Sequence, residues 1–360
     1  MIVTHLELQD FRSYPSTALD FAPETNIVVG ANGSGKTNLV EAIYYLSLGK
    51  SWRTNDTSAL IRRGASFALV RADVREEELH RLIEILITPQ GRKISLNGKP
   101  IRRLSELSRL VNVVLFAPED TGIFKGSPSE RRNFLDISLS KQSLDYFSLI
   151  GKYNRLLQER NAALKSQEPD KTYLEVLTDQ LIEVSEPIAH YRSIYIDELN
   201  RVLSPVTSRL YGNQRVAALQ YRPFIKSPDF KAAAKKAYHR AFESDLYHKV
   251  TSVGIHREDF SLLLEGKDVA VYGSQGENRL ASIALKLTPY FLIENPAKKP
   301  IAVLDDIYSE LDTFHAERLS ELIQSLGQVF VTTTEATIPG AATIDVAMHH
   351  ATRRIEKNGR

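Results

Sequence analysis

The sequence of 360 residues contains no cysteine. This absence excludes disulfide bonds, thiol nucleophiles and thiolate metal sites, and it fits a reducing compartment. The sequence also lacks any apolar run near the roughly 20 residues that a membrane-spanning helix needs. Its first residues include Glu7 and Asp10 and show no basic segment followed by an apolar one, so no secretory signal is expected. We therefore expect a cytoplasmic protein without a membrane partner.

An excess of one charge is missing as well. The 46 Lys and Arg residues nearly balance the 44 Asp and Glu residues, which leaves a net charge of +2. Overall charge thus favours no particular partner, and any nucleic-acid surface must be local. With 42% hydrophobic residues, the chain can build two domains or one large domain with an inserted lobe.

A glycine-rich loop lies between an apolar stretch and a helical pattern near the amino terminus. Ile27, Val28 and Val29 predict a buried strand, and the spacing of apolar residues from Leu39 to Leu46 predicts a helix. This is the context that a phosphate-binding P-loop requires, whereas a chance glycine-rich turn is the alternative. The predicted ATP-binding residues of the loop are Gly30, Ala31, Asn32, Gly33, Ser34, Gly35, Lys36 and Thr37.

Residue types in the loop indicate how it would bind ATP and Mg²⁺. Gly30, Gly33 and Gly35 allow the backbone to turn tightly and to point successive N–H groups at an anion, which the positive end of the helix also attracts. Lys36 is predicted to reach the β- and γ-phosphates and to act in catalysis. Thr37 is predicted to offer its hydroxyl to Mg²⁺.

A second apolar strand ends in paired carboxylates near the carboxyl terminus. Residues 301–304 are apolar and are followed by Asp305 and Asp306. This pattern predicts a Walker B strand, with Asp305 holding Mg²⁺ through its shell and Asp306 orienting or deprotonating the attacking water. An ordinary turn at a strand end is the alternative, which the P-loop in the same chain makes weaker.

Thirty-one residues before Asp305, Ser274 precedes a helical pattern. Ser274 and Glu277 have the spacing of a capping box, and this alone could explain them. The segment also matches the signature motif of ABC-type ATPases, in which a helix end caps the γ-phosphate of ATP held by another subunit, so Ser274 is a further catalytic candidate. Ser309–Asp312 matches the D-loop that follows Walker B in this class. The signature residues predicted to bind ATP are Ser274, Gln275, Gly276 and Glu277.

Positive charge is densest between Arg92 and Arg109, where six bases accompany one acid, Glu106. Either a DNA-backbone contact or a solvated face would explain this density. The segment begins on predicted antiparallel strands joined by a hairpin at Asn97 and Gly98. A lysine-rich helix over 231–246 is expected to be a solvated face first and a DNA contact second. The candidate DNA-binding residues are Arg92, Lys93, Arg102 and Arg103.

From residue 136 to about residue 210 the pattern is helical. Two apolar stripes could form a long coiled coil, but Glu168-Pro169-Asp170 and Pro187 interrupt them. We therefore predict compact antiparallel helices with breaks at both places.

The order of these motifs resembles the heads of SMC-type DNA-repair ATPases, in which an insertion separates the P-loop from the signature and Walker B. Here the insertion is too short and too interrupted by proline for a long coiled coil. The short-insertion version is similar to the bacterial RecF family over essentially the full chain. The segments that carry this resemblance are Lys50–Thr54, Ala117–Asp120, Arg131–Asp136, His256–Asp259, Ser274–Glu277 and Leu304–Asp312.

The resemblance implies an α/β fold, an ABC-type, SMC-like head of mixed sheets and helices with an inserted α-helical lobe. The head is expected to comprise residues 1–135 and 211–360, and the lobe residues 136–210. The family implies an ATP-dependent homodimer that binds double-stranded and gapped DNA, works with RecR and RecO to load RecA, and has weak, DNA-stimulated ATPase activity. Two departures from the wider ABC pattern, Pro118–Asp120 in place of a glutamine and Thr332–Thr334 in place of a switch histidine, predict slow hydrolysis.

Two other classes remain as alternatives. The ATPase subunit of a membrane transporter should have closely spaced motifs and a groove for a membrane helix, and the long insertion disagrees with this. A P-loop kinase or other small-molecule phosphotransferase would act as a monomer and would have no use for the signature segment.

Overall fold

The computed structural model describes residues 1–101, 106–334 and 338–347. The chain forms two compact units. The first unit comprises Met1–Thr121, Pro205–Gln214 and the residues from Ser282 onward, and the second comprises Gly122–Ser204 and Arg215–Ala281.

Two sheets build the first unit. A six-stranded antiparallel sheet has the strand order β2-β1-β4-β5-β6-β7, and a five-stranded parallel sheet has the order β14-β3-β13-β12-β8. Asn97 and Gly98 have positive φ angles and join β6 to β7, which confirms the predicted hairpin. The strands of the unit are β1 (Ile2–Phe11), β2 (Tyr14–Asp20), β3 (Thr25–Val29), β4 (Ala68–Glu76), β5 (Leu79–Thr88), β6 (Gly91–Leu96), β7 (Lys99–Ile101), β8 (Val113–Phe116), β12 (Ile301–Leu304), β13 (Val329–Thr333) and β14 (Ala342–Asp345).

The helix after the P-loop, α1 (Lys36–Leu48), is buried on nearly every side. Its apolar residues belong to one hydrophobic cluster with residues of both sheets. A helix that is buried on nearly every side lies inside a core. The sequence predicted only one apolar face for α1, so the structure buries more of this helix than expected. The unit also contains α2 (Leu107–Leu110) and α9 (Thr313–Gln324).

Helices dominate the second unit, which also has a three-stranded antiparallel sheet of order β11-β10-β9. This unit contains more residues than the helical lobe of residues 136–210 predicted from the sequence, and the bounds of that lobe stay a prediction. The additional residues fold with it because Arg160 of α4 forms a fully buried 2.8 Å ion pair with Asp245 of α6, and Arg131 of α3 pairs with Asp259 of β10 at 2.7 Å. The elements are α3 (Pro128–Gln142), α4 (Leu144–Leu164), β9 (Ala217–Arg222), α6 (Phe230–His248), β10 (Asp259–Leu264), β11 (Lys267–Asp268) and α7 (Val269–Tyr272), with residues 171–204 of α5 (Lys171–Tyr211) and residues 275–281 of α8 (Gln275–Leu292). The remaining residues of α5 and α8 belong to the first unit.

The predicted break at Pro187 is wrong, because α5 continues through Pro187 and through Pro205. A proline inside a helix removes one backbone hydrogen bond and costs about 3 kcal/mol. Val184 and Ile188, on either side of Pro187, are both buried, so tertiary packing maintains the helix across the interruption. The predicted break at Glu168–Asp170 is confirmed, since α4 ends before it and α5 begins after it.

Among the described helices, none combines the length and the apolar character needed to span a bilayer.

Candidate nucleotide-binding site

The loop between β3 and α1 has the backbone geometry of an anion-binding site. Gly30 and Gly35 have φ angles of 153° and 103°, and a Cβ atom built on Gly30 would lie 2.6 Å from Ser34 Oγ. Gly35 caps α1 without a side-chain hydrogen bond, so the cap residue leaves the first N–H groups of the helix to other acceptors. The buried Ser34 hydroxyl has no hydrogen-bond partner among the described residues. The loop therefore fits a phosphate group, which would supply the missing acceptor.

Lys36 lies across this loop. Its Nζ donates hydrogen bonds to the carbonyl oxygens of Gly30, at 2.6 Å, and Ala31, at 3.1 Å. The side chains of Ala31 and Asn32 are exposed. The ammonium group thus lies beside the loop, where a bound anion could replace the carbonyl oxygens as its partner.

The carboxyl ends of three neighbouring parallel strands place the Walker B acids beside the P-loop. Thr37 Oγ1 donates a 3.0 Å hydrogen bond to Asp305 Oδ1, and Thr332 Oγ1 donates a 2.6 Å bond to the same oxygen. β13 lies between β3 and β12, which explains why Thr332 reaches Asp305. The two predicted metal ligands, Thr37 and Asp305, are therefore in direct contact.

Asp305 and Asp306 differ in environment although they are adjacent. Asp305 is buried, and burial raises its pKa above the ordinary value, although hydrogen bonds from Thr332 and Thr37 oppose part of this rise. Asp306 is exposed and has a left-handed backbone with φ of 50°. One carboxylate is thus enclosed beside Thr37, and the other faces solvent.

These residues fit Mg²⁺. The hydroxyl and the carboxylate are hard oxygen donors of the type that Mg²⁺ prefers. Thr37 gives its one proton to Asp305, so the lone pairs of its oxygen remain available for a metal ion. When bound, Mg²⁺ would neutralise charge on the β- and γ-phosphates.

Ion pairs to a buried carboxylate hold α1 from the side. Glu41 of α1 is fully buried and accepts bonds from both Arg12, at 2.6 and 2.9 Å, and Ser51, at 2.5 Å. Arg53 lies 3.2 Å from the same carboxylate. The sequence held a signal for these contacts, since Glu41 is an acid within an apolar helical pattern, but the sequence analysis did not use it. Part of the Lys50–Thr54 segment therefore anchors the P-loop helix.

The signature segment lies in the second unit. Ser274 Oγ accepts from the Glu277 N–H at 3.2 Å, and Glu277 Oε2 accepts from the Ser274 N–H at 2.9 Å, which confirms the capping box. Asn278 Nδ2 donates to the carbonyls of Val269, Gly273 and Ser274. A Cβ on Gly273 would lie 2.5 Å from the Val269 carbonyl oxygen, so the motif needs glycine there. Sequence reasoning gave Asn278 no role, yet it holds α7 against the start of α8.

Two of the predicted DNA-binding residues, Arg92 and Lys93, differ in exposure. Arg92 is half-buried and lies with Tyr45 along a small cavity of about 70 Å³, whereas Lys93 is exposed. Arg92 and Lys93 belong to the six-stranded sheet. On this sheet Arg71 pairs with Glu7, at 3.0 Å, and with Glu84, at 2.7 Å, so the charge of Arg71 is balanced. Arg102 and Arg103 lie outside the described residues.

Arg131–Asp136 and His256–Asp259 meet inside the second unit. Arg131 makes a bidentate pair with Asp259, at 2.7 and 3.0 Å. Arg192 of α5 donates to Glu258 at 2.6 Å and to Asp136 at 2.8 Å, and the Arg192 and Glu258 side chains are only 2% and 1% exposed. These two motifs thus form a buried ionic network that stabilises the unit.

His256 belongs to the same interior and should make stability depend on pH. Its Nε2 donates to the Thr251 carbonyl at 3.0 Å, so Nδ1 accepts the Tyr153 hydroxyl at 2.6 Å. Burial lowers the pKa of His256 from 6.5 to about 4. Between these values the unfolded chain takes up a proton that the folded chain does not. The contribution of neutral His256 to the free energy of unfolding is therefore full above pH 6.5. It falls by about 2 to 3 kcal/mol as the pH is lowered towards 4.

Urea unfolding at pH 7 and pH 4 tests this expectation. His256→Gln should remove this part of the acid-induced loss, so the variant should lose less stability than the original chain on acidification. Equal losses in the two proteins would contradict the assignment of a neutral, buried His256.

The loop, the parallel sheet and the capped signature helix together define a P-loop ATPase head of the ABC type, with the fold of SMC heads. A family model described as the RecF/RecN/SMC N terminal domain matches residues 2–356. The "DNA replication and repair protein RecF" of Shouchella clausii is 36% identical over 345 residues, which cover 93% of each chain. The chain belongs to the RecF family.

Solved structures agree with this fold. A structure described as the recombination mediator protein RecF-ATPrS in the RecFOR pathway has a TM-score of 0.87 and 30% identity, and covers 96% of this chain and 95% of that one. An Smc head domain with an extended coiled coil from Pyrococcus furiosus has a TM-score of 0.57 at 19% identity, covering 99% of both chains. The second likeness concerns the fold alone. Together they confirm the predicted ABC-type, SMC-like head.

Proposed function

We propose that this protein is an ATP-switched DNA clamp of recombinational repair and replication. It dimerises on ATP, binds double-stranded DNA and junctions between single and double strands, and works with RecR and RecO to load RecA at gaps. Family membership supports this proposal, as does the similar protein described as a recombination mediator, RecF-ATPrS, in the RecFOR pathway.

ATP binds to the loop from Gly30 to Thr37. Lys36 exchanges the Gly30 and Ala31 carbonyls for the β- and γ-phosphate oxygens, and Thr37 and Asp305 hold Mg²⁺. The observation that carries the proposal is the 3.0 Å hydrogen bond from Thr37 to Asp305, residues 268 positions apart in sequence. Exposed Asp306 orients or deprotonates the attacking water, and slow, DNA-stimulated hydrolysis releases the clamp.

The second copy of the chain completes each ATP site. Ser274, Gln275, Gly276 and Glu277 present the N-terminus of α8 to the γ-phosphate held by the other copy. Val271 and Tyr272, just before this motif, are 69% and 71% exposed, an apolar surface that a second copy would cover. A γ-phosphate shared by two surfaces makes dimer affinity depend on the bound nucleotide.

DNA binding rests on local positive charge. Of the candidate residues, exposed Lys93 is better placed to meet a phosphate backbone than half-buried Arg92. Arg102 and Arg103 continue the same basic segment in sequence and remain candidates.

Sedimentation of the purified protein tests the proposal. ATP, but not ADP, should convert monomer to dimer, and gapped DNA should bind the ATP form more tightly. A protein that stays monomeric in ATP and gapped DNA would contradict the clamp and favour a monomeric phosphotransferase.

A further inference from the structure

The hydroxyl of Thr332 connects both Walker B residues. Thr332 lies near the carboxyl end of β13 and its side chain is only 2% exposed. Its Oγ1 donates to Asp305 Oδ1 at 2.6 Å and accepts from the backbone N–H of Asp306 at 2.8 Å. One side chain thus contacts the carboxylate of one acid and the backbone that carries the other.

These two bonds use the Thr332 hydroxyl both as a donor and as an acceptor. A hydroxyl has one proton to donate and lone pairs to accept with. The proton goes to Asp305, and a lone pair receives the Asp306 N–H. Asp306 has φ of 50°, a backbone conformation that non-glycine residues keep only when their surroundings hold them in it. The bond to Thr332 supplies part of that constraint.

An ordinary buried threonine in the same chain shows the contrast. Thr288 of α8 is also buried, but its Oγ1 donates to the Ala284 carbonyl four residues earlier in its own helix, at 2.7 Å. Such a bond satisfies the hydroxyl locally. Thr332 instead reaches residues 26 and 27 positions away on the neighbouring strand end. The Thr332 hydroxyl therefore bonds to the two Walker B residues and not to the backbone of its own strand.

We propose that Thr332 is a positioning residue of the ATP site. It keeps the Asp305 carboxylate turned towards Thr37, with which Asp305 would hold Mg²⁺. It also fixes the backbone of Asp306, the residue proposed to orient or deprotonate the attacking water. The proposal rests on the proposed function, since it assigns Asp305 and Asp306 these roles.

Three variants separate positioning from packing. Thr332→Val removes the hydroxyl at nearly constant volume, Thr332→Ala removes it with less bulk, and Thr332→Ser keeps it. Thr288→Val is the matched control, because it removes an equally buried hydroxyl away from Asp305. Thermal unfolding identifies which variants are folded before binding is compared.

The measurement is the ATP dissociation constant with Mg²⁺ and with EDTA, together with the turnover rate. Losing a residue that orients a metal ligand typically costs 10- to 100-fold in metal affinity or activity. Thr332→Val and Thr332→Ala should lose about this factor in Mg²⁺-dependent ATP binding or turnover, with ATP affinity in EDTA unchanged. Thr332→Ser should recover most of the loss, and Thr288→Val should resemble the original chain in both solutions.

Several results would overturn the inference. The first is that Thr332→Val and Thr332→Ala both bind Mg²⁺-ATP and turn it over as the original chain does. The second is that both variants lose affinity equally in EDTA, and the third is that Thr332→Ser fails to restore binding or turnover. Each of these results would leave the proposed function intact if the original chain binds ATP more tightly with Mg²⁺. If the original chain shows no Mg²⁺-dependent ATP binding, the proposed function fails, and the inference fails with it.

Discussion

Ser274→Asp should abolish ATP-dependent dimerisation while leaving the fold and ATP binding by the monomer intact. Asp is as good an N-cap as Ser, so the start of α8 should keep its stability. In the proposed dimer, however, the new carboxylate would lie where the γ-phosphate held by the other copy approaches. Like charges brought together at an interface cost several kcal/mol, and about 3 kcal/mol would weaken dimerisation about 100-fold.

The control for this variant is Ser143→Asp. Ser143 is also an N-cap, since its Oγ accepts from the Tyr146 N–H at 3.1 Å at the start of α4. It carries the same change of charge on a helix with no proposed part in ATP binding. Sedimentation in ATP should show dimers for Ser143→Asp and monomers for Ser274→Asp, and equilibrium binding should show equal ATP affinity. If Ser274→Asp forms dimers at the protein concentration at which the original chain does, the proposed role of the signature helix is contradicted.

Arg192→Met should destabilise the second unit by about 3 to 5 kcal/mol, the usual effect of removing one partner of a buried ion pair. Arg192 is paired with Glu258, at 2.6 Å, and Asp136, at 2.8 Å, and it also donates to the Ile255 carbonyl. The substitution leaves the Glu258 carboxylate buried with the Tyr221 hydroxyl and the Phe224 N–H as donors, and without a counter-charge.

Urea unfolding of Arg192→Met beside Lys231→Met tests this value. Lys231 has an equally short ion pair with Glu183, at 2.7 Å, but that pair is exposed, so its loss should leave stability nearly unchanged. Adding Glu258→Gln to Arg192→Met should recover part of the loss, because the unpaired charge is then gone. If Arg192→Met is as stable as Lys231→Met, the network does not stabilise the unit.

Local patterns in the sequence predicted the features that depend on neighbouring residues. The turn at Gly30 to Gly35, the helix after it and the Ser274–Glu277 capping box all follow from residue types within a few positions. The inward orientation of Arg92 was also accessible, since Arg92 and Ile94 share one face of β6 by alternation and Ile94 is a core residue.

Features that depend on the order of strands or on distant partners were not accessible. Thr332 contacts Asp305 only because β13 lies between β3 and β12, an order that no local pattern specifies. Arg192 and Glu258 are 66 residues apart, and each would be read as an ordinary surface charge. Pro187 misled because the burial of α5 outweighs the helix-breaking tendency of one proline.

The most direct test of the ATP-switched clamp is sedimentation of the original chain without nucleotide, with ADP and with ATP, each with and without gapped DNA. We expect a dimer with ATP but not with ADP or without nucleotide. This dimer should bind gapped DNA more tightly than the nucleotide-free monomer does. A monomer under all six conditions, or a dimer that ignores the nucleotide, would contradict the claim that the γ-phosphate joins two copies of this chain.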